Sequence, residues 1–174
     1  MAFRNHSRPG MTTKSNDVIP AEVQENWQQI INLLARICKV PAALIMRLSP
    51  PDIEVFLASR SEGNPYRQGS RESFEHSGLY CETVIKSQGK LLVPDALADK
   101  HWRQNPDVAL NMISYLGFPL MYPDNQPFGT LCVLDSKKNE YSPIIEQLML
   151  KFKDLIESQL GMVWANRILG DENK

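Results

Sequence analysis

The stretch from Ile113 to Asp135 constrains the fold of this chain more than any other part of it. It contains two apolar runs, Ser114 to Met121 and Phe128 to Leu134, joined by the polar segment YPDNQP at 122–127. Proline fixes φ near a turn value, and Asp and Asn hydrogen-bond their own backbone, so the pattern predicts a β-hairpin. Pro119 cannot donate to a strand ladder, which predicts that the first strand lies at an edge or carries a bulge there.

Helical and strand patterns alternate along the rest of the chain, which predicts an α+β domain with mainly antiparallel strands. The apolar fraction of 43% is ordinary for a globular protein. The predicted elements are a helix from Pro20 to about Lys39, strands at 41–48 and 53–59, a long loop at 61–77, a short helix at 79–88, a strand at 90–93, a helical turn at 99–104, a short helix at 105–112 and a long helix from Ser142 to about Leu169.

Three ordered blocks of sequence carry a family resemblance. SGLYCETVIKSQGK, LLVPDALAD and SYLGFPLMYPDNQPFGTLCVLD follow one another at separations typical of a GAF domain, a PAS-like ligand-sensing module of bacterial signalling proteins. The chain resembles this family from about Ala21 to about Asn166. The resemblance implies a central twisted antiparallel sheet of five to six strands, with the terminal helices on one face and a ligand cavity on the other.

The length of 174 residues predicts one domain with tails. We expect a disordered tail at 1–17, a single GAF domain at 18–169 and a C-terminal tail at 170–174. The first residues contain no apolar core of a signal peptide, and no run is long enough to span a membrane. The sequence therefore predicts a cytoplasmic protein without membrane attachment.

Charge and cysteine content exclude several classes of partner. A formal net charge of −1 without any basic run provides no electrostatic footprint for nucleic acid. Cys38, Cys81 and Cys132 are far apart and form no CxxC pair, which argues against a disulfide framework and a structural zinc site. His76 and His101 have no second partner at metal-ligand spacing. We assign no metal, and the sequence leaves the cofactor unidentified.

Catalytic motifs are absent from the sequence, which contains no GxSxG, HExxH, GxGxxG or P-loop pattern. One GAF family reduces free methionine sulfoxide with cysteines, and Cys81 resembles the position of one of them. No second cysteine lies at 61–74 or 106–112. Cys132 alternates within an apolar strand, where a thiol is usually a small buried hydrophobe. We therefore expect no catalytic residue, with the reductase as the alternative.

A cluster of basic residues suggests an anion site. Arg60, Arg67 and Arg71 flank the long loop, and His76 precedes the short helix at 79–88, for which Ser77 or Gly78 is the predicted N-cap. Helix N-termini bind anions through free N–H groups, and arginine binds carboxylates and phosphates in a bidentate manner. The alternative is that these arginines solvate the loop and pair with its glutamates.

Aromatic residues are concentrated in the same half of the chain, where the resemblance places the cavity. Ligand pockets are mostly apolar with a few convergent polar groups. We expect the pocket lining to include the aromatic residues Phe74, Tyr80, Trp102, Tyr115 and Phe118, and also Cys81.

The last helix carries two apolar stripes where one buried face would suffice. One stripe runs from Ile145 to Val163, and its neighbour contains Ile144, Leu148, Leu155 and Met162. Leu33 and Ile37 give the first helix a similar excess. These patterns predict a parallel homodimer through the first and last helices. We expect a small-molecule sensor that serves a signalling output domain of the histidine kinase or diguanylate cyclase type, or alternatively a ligand-free dimerisation module.

Overall fold

The computed structural model describes residues 18–173, and the predicted tail at 1–17 lies outside the described residues. The elements in chain order are α1 (Ala21–Cys38), β1 (Ala42–Ser49), β2 (Asp52–Ala58), β3 (Arg71–Ser73), α2 (Tyr80–Ser87), β4 (Leu91–Val93), a 3₁₀ turn (Ala96–Ala98), α3 (Pro106–Ala109), β5 (Ser114–Met121), β6 (Pro127–Asp135) and α4 (Pro143–Glu172). The α+β class is confirmed. No helix in this part of the chain is both long and apolar enough to cross a membrane.

The six strands form one antiparallel sheet in the order β3-β2-β1-β6-β5-β4. The predicted hairpin is confirmed as β5 and β6. Pro119 lies in an interior strand, but β4 pairs with β5 only as far as Gly117. The edge of β5 is therefore open at the proline, as its missing N–H requires, and a register shift follows between Leu120 and Met121.

The terminal helices cover one side of the sheet, which we call the helix face. Here α1 packs beside α4, and Trp27 donates a hydrogen bond of 2.7 Å from its indole nitrogen to Gln159 Oε1. The buried Trp27 ring meets Phe128 edge-on, with ring centroids 5.7 Å apart. Helices α2 and α3 and the 3₁₀ turn cover the opposite side, the cavity face, over a second apolar core.

Several element boundaries differ from the sequence-based expectation. Strand β3 was missed because its three residues are exposed and show no apolar alternation. Helix α2 begins at Tyr80, one residue later than predicted, with Leu79 at its N-cap. Ser77 Oγ accepts the N–H of Leu79, which itself lies outside the helix. Helix α4 extends past its predicted end to Glu172, since a glycine inside a helix costs only about 1 kcal/mol and Gly170 does not end it.

Candidate functional site

A cavity of about 90 Å³ lies on the cavity face, between the sheet and the segments that cover it. Alternation along the strands provides its apolar floor, because every second residue of a strand points to the same side. Leu44 of β1 lines the cavity, whereas its neighbours Ala43 and Ile45 are buried in the core of the helix face. The floor residues are Leu44, Met46, Ile53, Val55, Cys132 and Leu134.

The covering segments add polar groups to this apolar floor. Tyr66, Ser70 and Glu72 come from the region between β2 and the end of β3, Cys81 from α2, and Asp107 from α3. Leu79, Pro106 and Tyr115 complete the wall. The cavity thus combines a hydrophobic base with polar groups concentrated on one wall.

Asp107 is the most deeply buried carboxylate of this wall, with 6% of its surface exposed. Its Oδ1 accepts a hydrogen bond of 2.6 Å from the Tyr66 hydroxyl, and its Oδ2 accepts the Tyr80 N–H at 3.4 Å. Burial raises the pKa of Asp107 above its ordinary value, although both hydrogen bonds oppose this shift. The same burial, together with the nearby carboxylate, raises the pKa of Tyr66.

Local sequence explains how Asp107 reaches this position. Asn105 caps α3 by accepting the Asp107 N–H through its side-chain oxygen at 2.8 Å, and Pro106 occupies the first helical position. Both residues favour a helix start. The carboxylate is thereby held against the first turn of α2, where the Tyr80 N–H is free to donate.

Two thiols meet at the cavity wall. Cys81 Sγ accepts from Thr130 Oγ1 at 3.4 Å and lies 3.5 Å from the Tyr115 hydroxyl. The hydrogen bond from Cys132 lowers the pKa of Cys81 against the opposing effect of burial, whereas burial raises the pKa of Cys132 well above its ordinary value. Cys132 Sγ also donates to the Leu44 carbonyl at 3.9 Å. Cys38 lies on α1, where burial raises its pKa to about 11.

The structure brings two of the predicted pocket residues, Cys81 and Tyr115, to the cavity wall. Tyr80 lies directly behind them, with its ring stacked on Tyr115 at 4.7 Å between centroids, and Trp102 packs on Tyr80 at 5.3 Å. Phe74 is buried in the same apolar core. These three aromatic residues support the wall from behind rather than line it.

Phe118 does not lie on the cavity face. It belongs to the core of the helix face with Leu116 and Leu120, whereas Tyr115 belongs to the cavity side. The two residues are an odd number of positions apart on one strand, and residues so spaced point to opposite faces. The expectation that both line the pocket is therefore corrected.

The predicted basic residues do not converge on the cavity. Arg60, Arg67, Arg71 and His76 are exposed, and the cavity lining includes none of them. Arg71 pairs at 3.2 Å with Glu54, a glutamate of β2 and not one of the loop glutamates named by the alternative.

The N-terminus of α2 is not available as a free anion site either. The Gly78 N–H donates to Glu82 Oε1 at 3.2 Å, and the Tyr80 N–H donates to Asp107. The carboxylates of this chain therefore occupy the positions that an external anion would take.

Sequence reasoning missed Asp107, Tyr66 and Glu72, which supply most of the polarity of the site. The Asn105-Pro106 pair marked Asp107 as a helix-start residue, but its partner Tyr66 lies 41 positions away along the chain. Within residues 18–173, no group of three or more His, Cys, Asp or Glu side chains is arranged to hold a metal ion.

Comparisons with known proteins agree with this architecture. The sequence model of the GAF domain matches residues 22–160. No curated protein matches the chain. Among solved structures, the GAF domain of a phosphoenolpyruvate-protein phosphotransferase from Acinetobacter has a TM-score of 0.65 at 14% identity, covering 86% of this chain and 86% of that chain.

Two further structures represent other uses of this fold. A phycocyanobilin-bound GAF domain from a cyanobacterial phytochrome has a TM-score of 0.68 at 14% identity, covering 83% of this chain and 87% of that chain. A type II free methionine-R-sulfoxide reductase from Thermoplasma acidophilum has a TM-score of 0.64 at 12% identity, covering 82% and 94%. Likenesses at this identity establish the fold.

Proposed function

Because the chain belongs to the GAF domain family, we propose that it is a sensory module of a bacterial signal-transduction protein, located in the cytoplasm. It binds a small molecule in the cavity and reports occupancy through α1 and α4. The observation that carries this proposal is the cavity itself, with a buried carboxylate on its wall and the terminal helices on the other side of the same strands. Similar structures include a methyl-accepting chemotaxis protein and a phytochrome.

The sheet provides a physical route between the two faces. Cys132 and Leu134 of β6 line the cavity, while Leu131 and Val133 of the same strand pack in the core beneath the helices. Protein cores are close-packed, so a ligand that displaces the floor must also displace the opposite side chains. A change in occupancy therefore alters the surface on which α1 and α4 rest.

A homodimer through these helices is the second part of the proposal. The stripe that contains Met149, Ile156 and Leu160 is buried against the sheet. The neighbouring stripe is largely open, with Ile144 69%, Leu155 49% and Met162 65% exposed, whereas its fourth member, Leu148, is partly buried against the core of the helix face. Leu33 and Ile37 of α1 are also exposed. Apolar surface of this kind on two adjacent helices supports a parallel two-fold contact between copies, which can transmit a shift to an output domain.

Native mass spectrometry of gently purified protein tests the ligand part of this proposal. We expect a retained small molecule as a mass increment, and we expect Leu134→Phe to remove it because the larger side chain fills the cavity. Val133→Ile is the matched control, since it adds a methylene to the adjacent residue on the helix face. Parent protein without any increment, and without stabilisation by any member of a small-molecule screen, would contradict ligand sensing.

The reductase is a second candidate because Cys81 and Cys132 meet at the cavity wall. In that reaction two thiols would be oxidised to a disulfide while the sulfoxide becomes a thioether and its oxygen leaves as water. A coupled assay with free methionine sulfoxide and a dithiol reductant measures turnover. Turnover that disappears in Cys81→Ser and in Cys132→Ser separately would establish the enzyme and replace the non-catalytic reading.

A further inference from the structure

We propose that the cavity selects a small organic cation, such as a protonated alkylamine, whose ammonium group pairs with Asp107. This inference depends on the proposed function, because it assigns a chemical class to the ligand that the cavity binds. It reverses the expectation of an anion drawn from the arginines around the loop.

The first argument is the incomplete environment of Asp107. The carboxylate is buried, and its hydrogen-bond partners are one hydroxyl and one distant backbone N–H. Within residues 18–173, none of the ion pairs involves this residue. Buried charges are normally paired, because the loss of hydration without a counter-ion is unfavourable. A cationic ligand would provide the missing partner.

The second argument is the charge of the lining. Asp107 and Glu72 contribute carboxylates to the cavity, and the lining residues include no lysine, arginine or histidine. The guanidinium of Arg71, next to Glu72 in the chain, is turned to Glu54. The local field therefore attracts cations and repels carboxylates and phosphates.

The third argument concerns the shape and chemistry of the remaining surface. Leu44, Val55 and Leu134 form an apolar floor that suits an alkyl body, and the Tyr66 hydroxyl holds the Asp107 carboxylate at the same wall. The volume of about 90 Å³ is far below the roughly 300 Å³ of the smallest drug-sized pockets, so the cavity suits a molecule of a few heavy atoms better than a nucleotide or a tetrapyrrole.

Calorimetric titration with three probes of matched size tests the inference: butylammonium, 1-butanol and butyrate, each added to the full chain near neutral pH. We expect butylammonium to bind at least about tenfold more tightly than butanol, since a hydrogen bond between an ammonium group and a carboxylate is stronger than one from a neutral hydroxyl. We expect butyrate to bind most weakly. In Asp107→Asn the preference for the amine over the alcohol should disappear.

Asp99→Asn is the matched control, because Asp99 also accepts a backbone N–H through its carboxylate but lies outside the cavity lining. It should leave the amine preference unchanged. Glu72→Lys provides a second test at an exposed position and should weaken the amine and strengthen butyrate. This variant keeps the inference testable if Asp107→Asn does not fold.

The outcomes separate this inference from the proposed function. Equal affinity for butanol and butylammonium, or tighter binding of butyrate, overturns the cation assignment while leaving a ligand-binding cavity. Absence of binding by all three probes also overturns the cation assignment. If native mass spectrometry in addition shows no retained molecule, the proposed sensory function is contradicted too.

Discussion

At the scale of single residues, Asp107 links the stability of the domain to its site. Because burial raises its pKa above the ordinary 3.8, the folded chain keeps a proton that the unfolded chain loses between the two values. The unfolded state then binds fewer protons, so the free energy of unfolding falls as pH rises through this window. The slope is at most about 1.4 kcal/mol per pH unit, and the loss is complete above the raised value.

Asp107→Asn removes this titration. We expect the difference in free energy of unfolding, variant minus parent, to increase as pH rises from the ordinary carboxyl value towards neutrality. This holds without ligand, so it is independent of the weaker ligand binding of the variant. Urea unfolding at a series of pH values measures both curves. Parallel curves for parent and variant would show that burial does not raise the pKa of Asp107.

Two glycines of the main hairpin differ in what surrounds them. A Cβ at Gly129 would overlap the backbone carbonyl of Met46, whereas a Cβ at Gly117 would overlap the far end of the Tyr115 ring. We expect Gly129→Ala to lower the free energy of unfolding by at least about 3 kcal/mol, because the backbone of the neighbouring strand cannot shift as easily as a side-chain ring. Gly117→Ala should cost less and displace Tyr115 from the cavity wall. Urea midpoints and tyrosine near-UV dichroism distinguish the two, and equal costs would contradict this reading.

At the scale of secondary structure, α4 closes the open edge of β5. Lys153 Nζ donates to the Pro119 carbonyl at 2.7 Å, and the Met121 N–H donates to Glu157 Oε2 at 2.8 Å. Lys153 and Glu157 also form an ion pair with each other at 2.8 Å. Lys153 and Glu157 hold the helix against the second half of the strand, residues 118–121, which β4 leaves unpaired.

Glu157→Ala should therefore destabilise the domain by about 1–2 kcal/mol, because it leaves a partly buried N–H without its acceptor. Glu146→Ala is the control. It removes a more exposed pair with Lys90, and such pairs contribute about 0–1 kcal/mol. Chemical denaturation of both variants gives the comparison, and an equal or larger loss in Glu146→Ala would contradict a specific role for the edge contact.

The sequence predicts helices, strands and turns that are specified by neighbouring residues. It does not predict contacts between residues that are far apart along the chain. Proline, Asp and Asn between two apolar runs are enough to specify the β5–β6 hairpin. Strand β3 pairs through its backbone with β2 and carries no apolar signal. The arginines lie near the loop in sequence, but their side chains point to solvent or to Glu54. Only the fold brings Tyr66, Asp107 and Tyr80 together.

At the scale of the whole molecule, the dimer determines whether the terminal helices can carry a signal. We expect Leu155→Glu combined with Met162→Glu to convert a dimer to a monomer, because both exposed side chains lie on the open stripe of α4. Sedimentation equilibrium at micromolar concentration measures the change. The control Gln147→Glu combined with Ala165→Glu adds the same charge to exposed positions about 60–80° away around the helix. A monomeric parent protein would rule out the dimer.

Hydrogen–deuterium exchange with and without butylammonium tests the central claim most directly, because it reports on the cavity wall and the terminal helices in one experiment. We predict slower exchange in the segments that hold Tyr66 and Asp107, together with a changed exchange rate in α1 and α4. The Asp107→Asn variant should lose both effects. Protection confined to the cavity wall, with α1 and α4 unchanged at saturating ligand, would contradict a sensor that signals through its terminal helices.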